Sequence, residues 1–425
     1  MDKIYIEDTN ELIDFIKKSP SPFHVIANAR KLLLDLGFSE LKENKPFSIE
    51  KGKSYFITRN NSAIIAFRIP KSFDGFHIVS AHTDSPCFKI KANPEIRIEK
   101  SCIKLNTEGY GGMLLSPWFD RPLSIAGRVF INKGDSIEEK LVDFGDDMVS
   151  IVNLAIHQNR DTNNGYKYSM QKEFLPIWAD SDCTISFIDR IGEHASCAPE
   201  DILDYDLFLY NKTEPVLWGV DKAFFSSPKI DDLQCAYSAL SSILKSTPGN
   251  KISMISLFDN EETGSGTKQG ALSDFLSNTI SRICISLKMN DEDKAIMIAN
   301  SRMISADNGH AMHPNYPEKC DITNKPKMNG GILLKYSANQ KYTTDGESGS
   351  YLKKIMIAND IPFQIFLNNS DVPGGSTLGN LSSQKVSMKT ADIGVAQLAM
   401  HSCYETAGTK DTTALKKLFN TFFSK

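Results

Sequence analysis

Acidic and imidazole side chains follow two apolar segments of this 425-residue chain, at the point where each segment ends. Glu261 and Glu262 come shortly after the apolar run 252–258, within the sequence Asp-Asn-Glu-Glu. His82 and Asp84 follow a second apolar run. In an open α/β sheet, ligands bind outside the carboxyl ends of the strands. Clusters of His, Asp and Glu at such ends are typical of hydrolytic metal sites, and the two segments together predict one.

The adjacent pair Glu261 and Glu262 is the more specific of these two signals. Neighbouring carboxylates at the end of a buried strand repel each other, and burial disfavours their charged forms. A nearby cation would remove that cost, because one carboxylate could bind the metal while the other acts as general base towards a water. The alternative is a solvated acidic turn, which the apolar character of the preceding run argues against.

His82 and Asp84 are two residues apart, so in an extended segment their side chains share a face. The imidazole could bind a metal while the carboxylate holds its orientation. An ordinary polar turn after a strand could contain the same two residues, and this alternative stays open on the motif alone.

Three other segments could contribute to such a site. Asp231 and Asp232 begin a predicted helix, where either could bind a metal and either could be the N-cap. Asp307 follows a third predicted strand. His401 lies in the segment 391–406, which is predicted to be a helix, and a single helical histidine is more often a packed or surface residue.

The predicted elements alternate between helix and strand in both terminal parts of the chain. Helices are predicted at 9–18, 23–36, 233–245, 270–285, 391–406 and 412–423, and strands at 55–58, 62–67, 75–80, 252–258, 303–306 and 362–367. The middle of the chain instead predicts short strands at 95–105, 124–132 and 184–189. We therefore expect a discontinuous α/β domain (1–94 and 226–425) interrupted by a mainly β insertion (95–225).

Composition argues against several other classes of function. The 48 basic and 52 acidic residues give a net charge of −4 without a basic block, so nucleic-acid binding is not expected. No apolar run approaches the roughly 20 residues of a membrane-spanning helix, and the polar start does not resemble a secretory signal. The eight cysteines form no CxxC pair, which is typical of reduced thiols in a cytoplasmic protein.

Ten short motifs, in the same order along the chain, resemble the aspartyl aminopeptidase family of dinuclear zinc exopeptidases, of which this chain would be a bacterial member. They are 21–24 (SPFH), 80–86 (SAHTDSP), 110–112 (YGG), 118–121 (WFDR), 154–157 (LAIH), 259–262 (DNEE), 305–307 (SAD), 313–316 (HPNY), 375–377 (GST) and 397–401 (QLAMH). The set spans nearly the whole chain and is far more specific than any one of its motifs.

The resemblance implies a role for each candidate residue and a metallopeptidase α/β domain with an inserted β domain. His82, Glu262, Asp307 and His401 would be terminal ligands of two divalent metal ions, Asp231 the carboxylate that bridges them, Glu261 the general base, and Asp84 the residue that orients His82. Zinc is the expected metal, although cobalt or manganese would suit the same ligands.

The function implied is the removal of N-terminal residues from peptides by a metal-activated water. The resemblance also implies a large homo-oligomer, built from dimers through the 95–225 insertion. Ser116 stands where the family pattern has histidine and Asn339 where it has lysine, so we expect a preference for acidic residues that is weaker than the family name implies. Two alternatives stay open: another dinuclear-zinc hydrolase of the same fold, such as a deacylase or carboxypeptidase, and a catalytically idle scaffold protein.

Overall fold

The computed structural model describes residues 2–146, 148–372 and 374–425. Met1, Asp147 and Pro373 fall within the predicted domains but lie outside the described residues. The helices are α1 (Asp2–Lys17), α2 (Pro22–Asp35), α3 (Met170–Glu173), α4 (Phe187–Ala195), α5 (Ile230–Lys245), α6 (Phe275–Ser286), α7 (Asp291–Ala299), α8 (Gly346–Ala358), α9 (Leu378–Ser382) and α10 (Thr409–Phe423).

The strands of the described residues form three sheets. They are β1 (Ser39–Leu41), β2 (Ser54–Arg59), β3 (Ala63–Arg68), β4 (Phe76–His82), β5 (Cys87–Ile98), β6 (Cys102–Tyr110), β7 (Leu123–Asn132), β8 (Ile137–Asp143), β9 (Ile177–Asp180), β10 (Ile202–Asn211), β11 (Val216–Trp218), β12 (Phe224–Ser227), β13 (Ile252–Phe258), β14 (Arg302–Ala306), β15 (Gly309–His310), β16 (Ile332–Lys335), β17 (Phe363–Phe366), β18 (Lys389–Gly394), β19 (Ala396–Leu398) and β20 (Glu405–Gly408).

The largest sheet has nine strands in the order β1-β2-β3-β13-β4-β14-β18-β16-β17. Its central strands β13, β4, β14 and β18 run parallel to one another. Every residue of β4 and of β13 is buried, because both faces of the sheet are covered. The carboxyl ends of these parallel strands therefore meet at one edge.

Helices cover the nine-stranded sheet on both faces. In β4, Val79 packs in one hydrophobic cluster and Ile78 in the other, as expected when successive side chains point to opposite faces. Helices α1, α2, α5, α8 and α10 contribute to the first cluster, and α6, α7 and α9 to the second. The predicted α/β class is confirmed as three layers with the sheet in the middle.

The middle of the chain forms an antiparallel six-stranded sheet in the order β8-β7-β10-β5-β6-β9. It has a hydrophobic core of its own, which includes Phe88, Trp118 and Phe187. The mainly β insertion is thus confirmed, and its strands lie between Cys87 and Asn211. The division of the chain at 95 and 225 stays a prediction.

The strand predicted at 184–189 is wrong, because α4 begins at Phe187. Ser186 is its N-cap: the Ser186 hydroxyl accepts a hydrogen bond from the Asp189 N–H, and the Asp189 carboxylate accepts one from the Ser186 N–H. This reciprocal pair is a capping box, which begins helices. Phe187 and Ile191 then bury one helical face, so the three-residue spacing of Ser and Asp was the informative signal.

The helix predicted at 391–406 is also wrong. The segment contains most of β18, all of β19 and the beginning of β20. Strand β18 pairs with β14 on one side and β16 on the other, which satisfies its backbone within the sheet. Periodicity does not distinguish a buried strand from a buried helix over such short apolar runs. Strands β19 and β20 belong to the third sheet, which has the order β11-β12-β20-β19-β15.

Within the described residues, the helices include none with the length and apolar character required to cross a membrane.

Candidate active site

Three adjacent parallel strands bring acidic and imidazole groups to one edge of the central sheet. His82 is the last residue of β4, and Glu261 and Glu262 follow β13 by a short turn. Asp307 follows β14 directly. Because β4 lies between β13 and β14, all four residues meet at the carboxyl edge, where open α/β sheets bind ligands.

Two further residues reach this edge from elements outside the parallel strands. Asp231 lies at the beginning of α5, where its backbone is not helical and its peptide bond to Asp232 is cis. His401 lies in the turn between β19 and β20, with φ of 63°, and Ala399 in the same turn has φ of 54°. This left-handed backbone is rare for residues with a Cβ. The predicted helix could not have placed His401 here.

The structure brings all five predicted metal ligands together in two groups that share Asp231. Ligand atoms of His82, Asp231 and Asp307 lie within 4.8 Å of one another, and so do those of Asp231, Glu262 and His401. Oδ1 of Asp231 is 3.6 Å from Nε2 of His82, whereas Oδ2 is 3.5 Å from Nε2 of His401. The two oxygens of one carboxylate thus face two different imidazoles.

Both imidazoles are oriented by a backbone carbonyl. Nδ1 of His82 is 3.1 Å from the carbonyl oxygen of Asp84, and Nδ1 of His401 is 2.5 Å from that of Gly112. A carbonyl oxygen only accepts hydrogen bonds, so each Nδ1 carries a proton. Each Nε2 therefore faces Asp231, which is the arrangement found when histidine binds a metal through Nε2.

Asp84 lies fully buried behind His82 and holds the turn that carries the two glutamates. Its Oδ1 accepts a hydrogen bond of 3.1 Å from the Glu261 N–H, and its Oδ2 accepts one of 3.1 Å from the Glu262 N–H. Oδ2 also accepts a 2.6 Å hydrogen bond from the Tyr110 hydroxyl. Burial alone would raise the pKa of Asp84, but His82 and these donors lower it below its usual value.

Glu261 lies beside the two groups that share Asp231. Its carboxylate is within 4.8 Å of ligand atoms of His82 and Glu262. Burial, opposed by His82 and assisted by the neighbouring carboxylates of Asp307 and Asp84, raises the pKa of Glu261 to about 8. Of the two adjacent glutamates, only Glu262 belongs to a group that contains Asp231, whereas Glu261 groups with His82 and Glu262.

The charges of the cluster favour a bound cation. Burial raises the pKa of Glu262 well above its usual value and that of Asp307 to about 6. Burial would lower the pKa of His401, but Asp231 outweighs it and raises this pKa to about 9. The negative charge of the cluster therefore attracts a cation, whether a proton or a metal ion.

Unpaired oxygens show that the cluster fits metal ions. Within the described residues, Oδ1 of Asp231 and Oε1 of Glu262 are buried without a hydrogen-bond partner. A buried carboxylate oxygen without a partner is costly, and a metal ion would compensate it. Imidazole nitrogens and carboxylate oxygens are ligands that zinc accepts. The five residues could therefore hold divalent ions.

Two residues that the sequence did not single out contact the cluster. Lys335, at the end of β16, is buried with its Nζ 3.9 Å from Oδ2 of Asp307. Glu405, at the beginning of β20, accepts hydrogen bonds from the backbone N–H groups of Asp231 and His401. A single charged residue at the end or beginning of an apolar segment was the only signal for either one.

The sequence positions that depart from the family pattern lie on the surface. Ser116 is exposed in a short 3₁₀ turn, and Asn339 is exposed in a turn after β16. The neighbouring Lys341 is also exposed, in a bend.

Comparison with known proteins gives matches over the whole chain. The family model described as aminopeptidase I zinc metalloprotease (M18) matches residues 15–423. A protein of Clostridium novyi (strain NT), described as probable M18 family aminopeptidase 2, is 44% identical over 429 residues. The alignment covers 99% of this chain and 99% of that protein.

Solved structures give the same family. A chain in the cryo-EM structure of the Ape4 and Nbr1 complex has a TM-score of 0.95 at 33% identity, over 100% of this chain and 86% of that chain. The S. cerevisiae mApe1 dodecamer has a TM-score of 0.86 at 27% identity, over 99% of this chain and 96% of that chain.

These matches confirm the family resemblance that the ten motifs predicted. They support a zinc-dependent hydrolase that acts as an aminopeptidase, and no finding favours a deacylase, a carboxypeptidase or an idle scaffold. The chain therefore belongs to the M18 family of zinc aminopeptidases.

Proposed function

We propose that this aminopeptidase binds two divalent ions, one at each of the two groups that share Asp231. His82 and Asp307 would be terminal ligands of one ion, and Glu262 and His401 terminal ligands of the other. The observation that carries this proposal is the position of Asp231, whose Oδ1 lies 3.6 Å from His82 while its Oδ2 lies 3.5 Å from His401. A carboxylate in this position can serve two neighbouring metal ions at once.

Zinc is the metal we propose, and cobalt or manganese would suit the same mixture of imidazole and carboxylate ligands. When bound, two such ions would act as Lewis acids that lower the pKa of a water and polarise the scissile carbonyl. The family description, aminopeptidase I zinc metalloprotease, supports zinc.

Glu261 is the proposed general base. It would take a proton from the attacking water, whose oxygen then bonds to the carbonyl carbon, and would deliver that proton to the leaving amine as the C–N bond breaks. Its backbone N–H is held by Asp84, which fixes the turn from which the side chain extends. Asp84 would also orient His82, from which its Oδ1 lies 3.4 Å.

The proposed substrates are peptides with a free N-terminus. The site carries an excess of carboxylates over histidines, and an α-ammonium group is a cation that such a cluster attracts. Holding the α-amino group there would confine cleavage to the first peptide bond.

We also propose a large cytoplasmic homo-oligomer built from dimers through the 95–225 insertion. Its relative mApe1 is described as a dodecamer. Several large apolar side chains of the insertion are exposed, among them Met148, Val152 and Leu154, and a partner subunit would cover such a surface. The free cysteines of the described residues suit a reducing compartment. Light scattering that finds only monomer at working concentration would refute the oligomer.

Matched peptides with free and acetylated N-termini test the proposed substrate class. Cleavage and metal content are measured on the same purified enzyme. We expect about two ions per chain and cleavage of only the peptides with a free N-terminus. Comparable cleavage of both peptides would indicate a hydrolase that does not recognise the α-amino group. Full activity of a metal-free preparation would exclude the proposed chemistry.

A further inference from the structure

Glu405 connects two proposed metal ligands that come from distant parts of the chain. Its side chain is 2% exposed. Oε2 accepts a 3.0 Å hydrogen bond from the Asp231 N–H at the beginning of α5, and Oε1 accepts a 2.8 Å hydrogen bond from the His401 N–H in the β19–β20 turn. One carboxylate therefore fixes the spacing of these two backbone segments.

The turn that carries His401 requires such support. Ala399 and His401 both have left-handed backbone conformations, with φ of 54° and 63°. Conformations of this kind are disfavoured for residues with a Cβ and persist only where surrounding contacts hold them. Glu405 holds the N–H of His401, and the carbonyl of His401 accepts a 3.0 Å hydrogen bond from the Leu114 N–H.

A chain of buried side chains extends this connection to the third ligand segment. Oε1 of Glu405 also accepts a 3.1 Å hydrogen bond from Nε2 of Gln397, and Oε1 of Gln397 accepts a 2.7 Å hydrogen bond from Nδ2 of Asn308. Asn308 is adjacent to Asp307, and its carbonyl accepts a 2.9 Å hydrogen bond from Lys335. The network thus reaches the segments of Asp231, His401 and Asp307.

We propose that Glu405 is a positioning residue that holds Asp231 and His401 at the spacing the metal site requires, without touching a metal itself. This inference rests on the ligand roles proposed above. Residues that orient metal ligands typically contribute about 10–100-fold to metal affinity. Glu405 holds two of the three ligands of the ion between Asp231, Glu262 and His401. Of the three ligands of the other ion, it holds only Asp231. The two ions are therefore expected to depend on Glu405 unequally.

The variant Glu405→Gln tests this directly. The two backbone N–H groups bind different oxygens of Glu405, and the amide has the same length but an NH₂ group in place of one oxygen, so this NH₂ group must face one of the two N–H donors. We expect one ion per chain to bind about 10–100-fold more weakly than in the wild type. Zinc affinity is measured by competition with a chelating dye, and the ions retained per chain are counted after dialysis against the chelator.

Asp411 offers a matched control. It is also a fully buried carboxylate that holds two backbone N–H groups, those of Asn329 (2.6 Å) and Gly331 (2.9 Å), but neither partner is a proposed metal ligand. We expect Asp411→Asn to lower the thermal unfolding temperature while leaving zinc retention at the wild-type level. Equal weakening of zinc binding in Glu405→Gln and Asp411→Asn would overturn the positioning role, since it would reflect a general loss of structure.

The variant His401→Ala separates this inference from the proposed function. Wild-type zinc retention in His401→Ala would overturn the ligand assignment itself. If His401→Ala loses an ion while Glu405→Gln binds both as tightly as the wild type, only the role of Glu405 is refuted. If Glu405→Gln does not fold, Gln397→Met removes one donor to the same carboxylate and is expected to weaken the same ion by a smaller factor. Unchanged zinc affinity in Gln397→Met would then refute the inference.

Discussion

The hydroxyl of Tyr110 lies 2.6 Å from Oδ2 of Asp84, although the two residues come from segments that belong to different sheets or adjoin them. Tyr110 ends β6 of the six-stranded sheet, and Asp84 follows β4 of the nine-stranded sheet. The same hydroxyl accepts a 2.8 Å hydrogen bond from Nδ2 of Asn260. The inserted sheet therefore contacts the residue that holds His82 and the turn of Glu261.

Removing this hydroxyl is expected to lower catalytic efficiency without unfolding the enzyme. A hydrogen bond to a charged group contributes about 1.5–3 kcal/mol. We expect kcat/KM of Tyr110→Phe to fall by roughly tenfold or more, since about 1.4 kcal/mol is one factor of ten. Tyr205→Phe is the matched control: this half-buried tyrosine of the same sheet donates to the carbonyl of Lys91 instead. Equal losses in both variants would contradict a specific effect through Asp84.

The two adjacent glutamates are expected to give opposite results when each is replaced by glutamine. Glu261→Gln should keep its metal ions and its fold but lose about 10²–10⁴-fold or more in turnover, because it is assigned proton transfer. Glu262→Gln should lose metal, because it is assigned as a ligand. Metal content and turnover, measured on the same preparations, distinguish the two. Wild-type turnover in Glu261→Gln would remove this residue from the mechanism.

Stability is expected to depend on pH through His77. This residue lies near the beginning of β4, whereas the proposed metal ligand His82 lies at its end. His77 is 2% exposed and stacks on Phe422 with 4.3 Å between ring centroids. Burial, together with the nearby charges of Lys251 and Arg302, lowers its pKa from 6.5 to about 4. Between these two values the unfolded chain binds more protons than the folded one, so stability rises with pH and levels off above about 6.5.

Replacing His77 with phenylalanine keeps the ring stacking but removes the titrating group. We expect the free energy of unfolding of His77→Phe to rise less steeply than that of the wild type between about pH 4 and 6.5, by up to roughly 3 kcal/mol over the interval. Urea unfolding at a series of pH values measures this. Parallel curves for the two proteins would show that His77 does not titrate in this range.

The preference for acidic N-terminal residues is expected to be weak. A charge-assisted hydrogen bond is about twice as strong as a neutral one, and Asn339 offers only an amide where the family pattern has lysine. Reporter substrates linked to Asp, Glu, Leu and Ala are expected to be cleaved at similar rates, with Asp and Glu favoured more strongly in Asn339→Lys. A preference of roughly hundredfold for Asp or Glu that is unchanged in Asn339→Lys would place the recognising cation elsewhere.

The strand-end residues could be predicted because their signal is local. Long apolar runs identify β4 and β13 as interior strands, and a polar residue directly after such a run lies at a sheet edge. This was sufficient to expect His82 and Glu262 at one site. The motif resemblance then supplied Asp231 and Asp307, whose sequence surroundings also suit capping or an ordinary turn.

The position of His401 could not be predicted because it depends on long-range pairing. The segment 391–406 has no local feature that separates strand from helix, and its strands pair with segments distant in sequence. The left-handed turn at His401 is stabilised by contacts with Glu405 and Leu114. The role of Glu405 likewise depends on hydrogen bonds that only the folded chain brings together.

Zinc stoichiometry in three alanine variants tests most directly whether two ions share Asp231. If Asp231 serves two ions, Asp231→Ala should lose both, whereas His82→Ala and His401→Ala should each lose one. Zinc per chain is measured after identical dialysis of the wild type and the three variants. We predict about two zinc ions per chain in the wild type, about zero in Asp231→Ala, and about one in each of His82→Ala and His401→Ala. Retention of one tightly bound ion in Asp231→Ala would contradict the shared carboxylate.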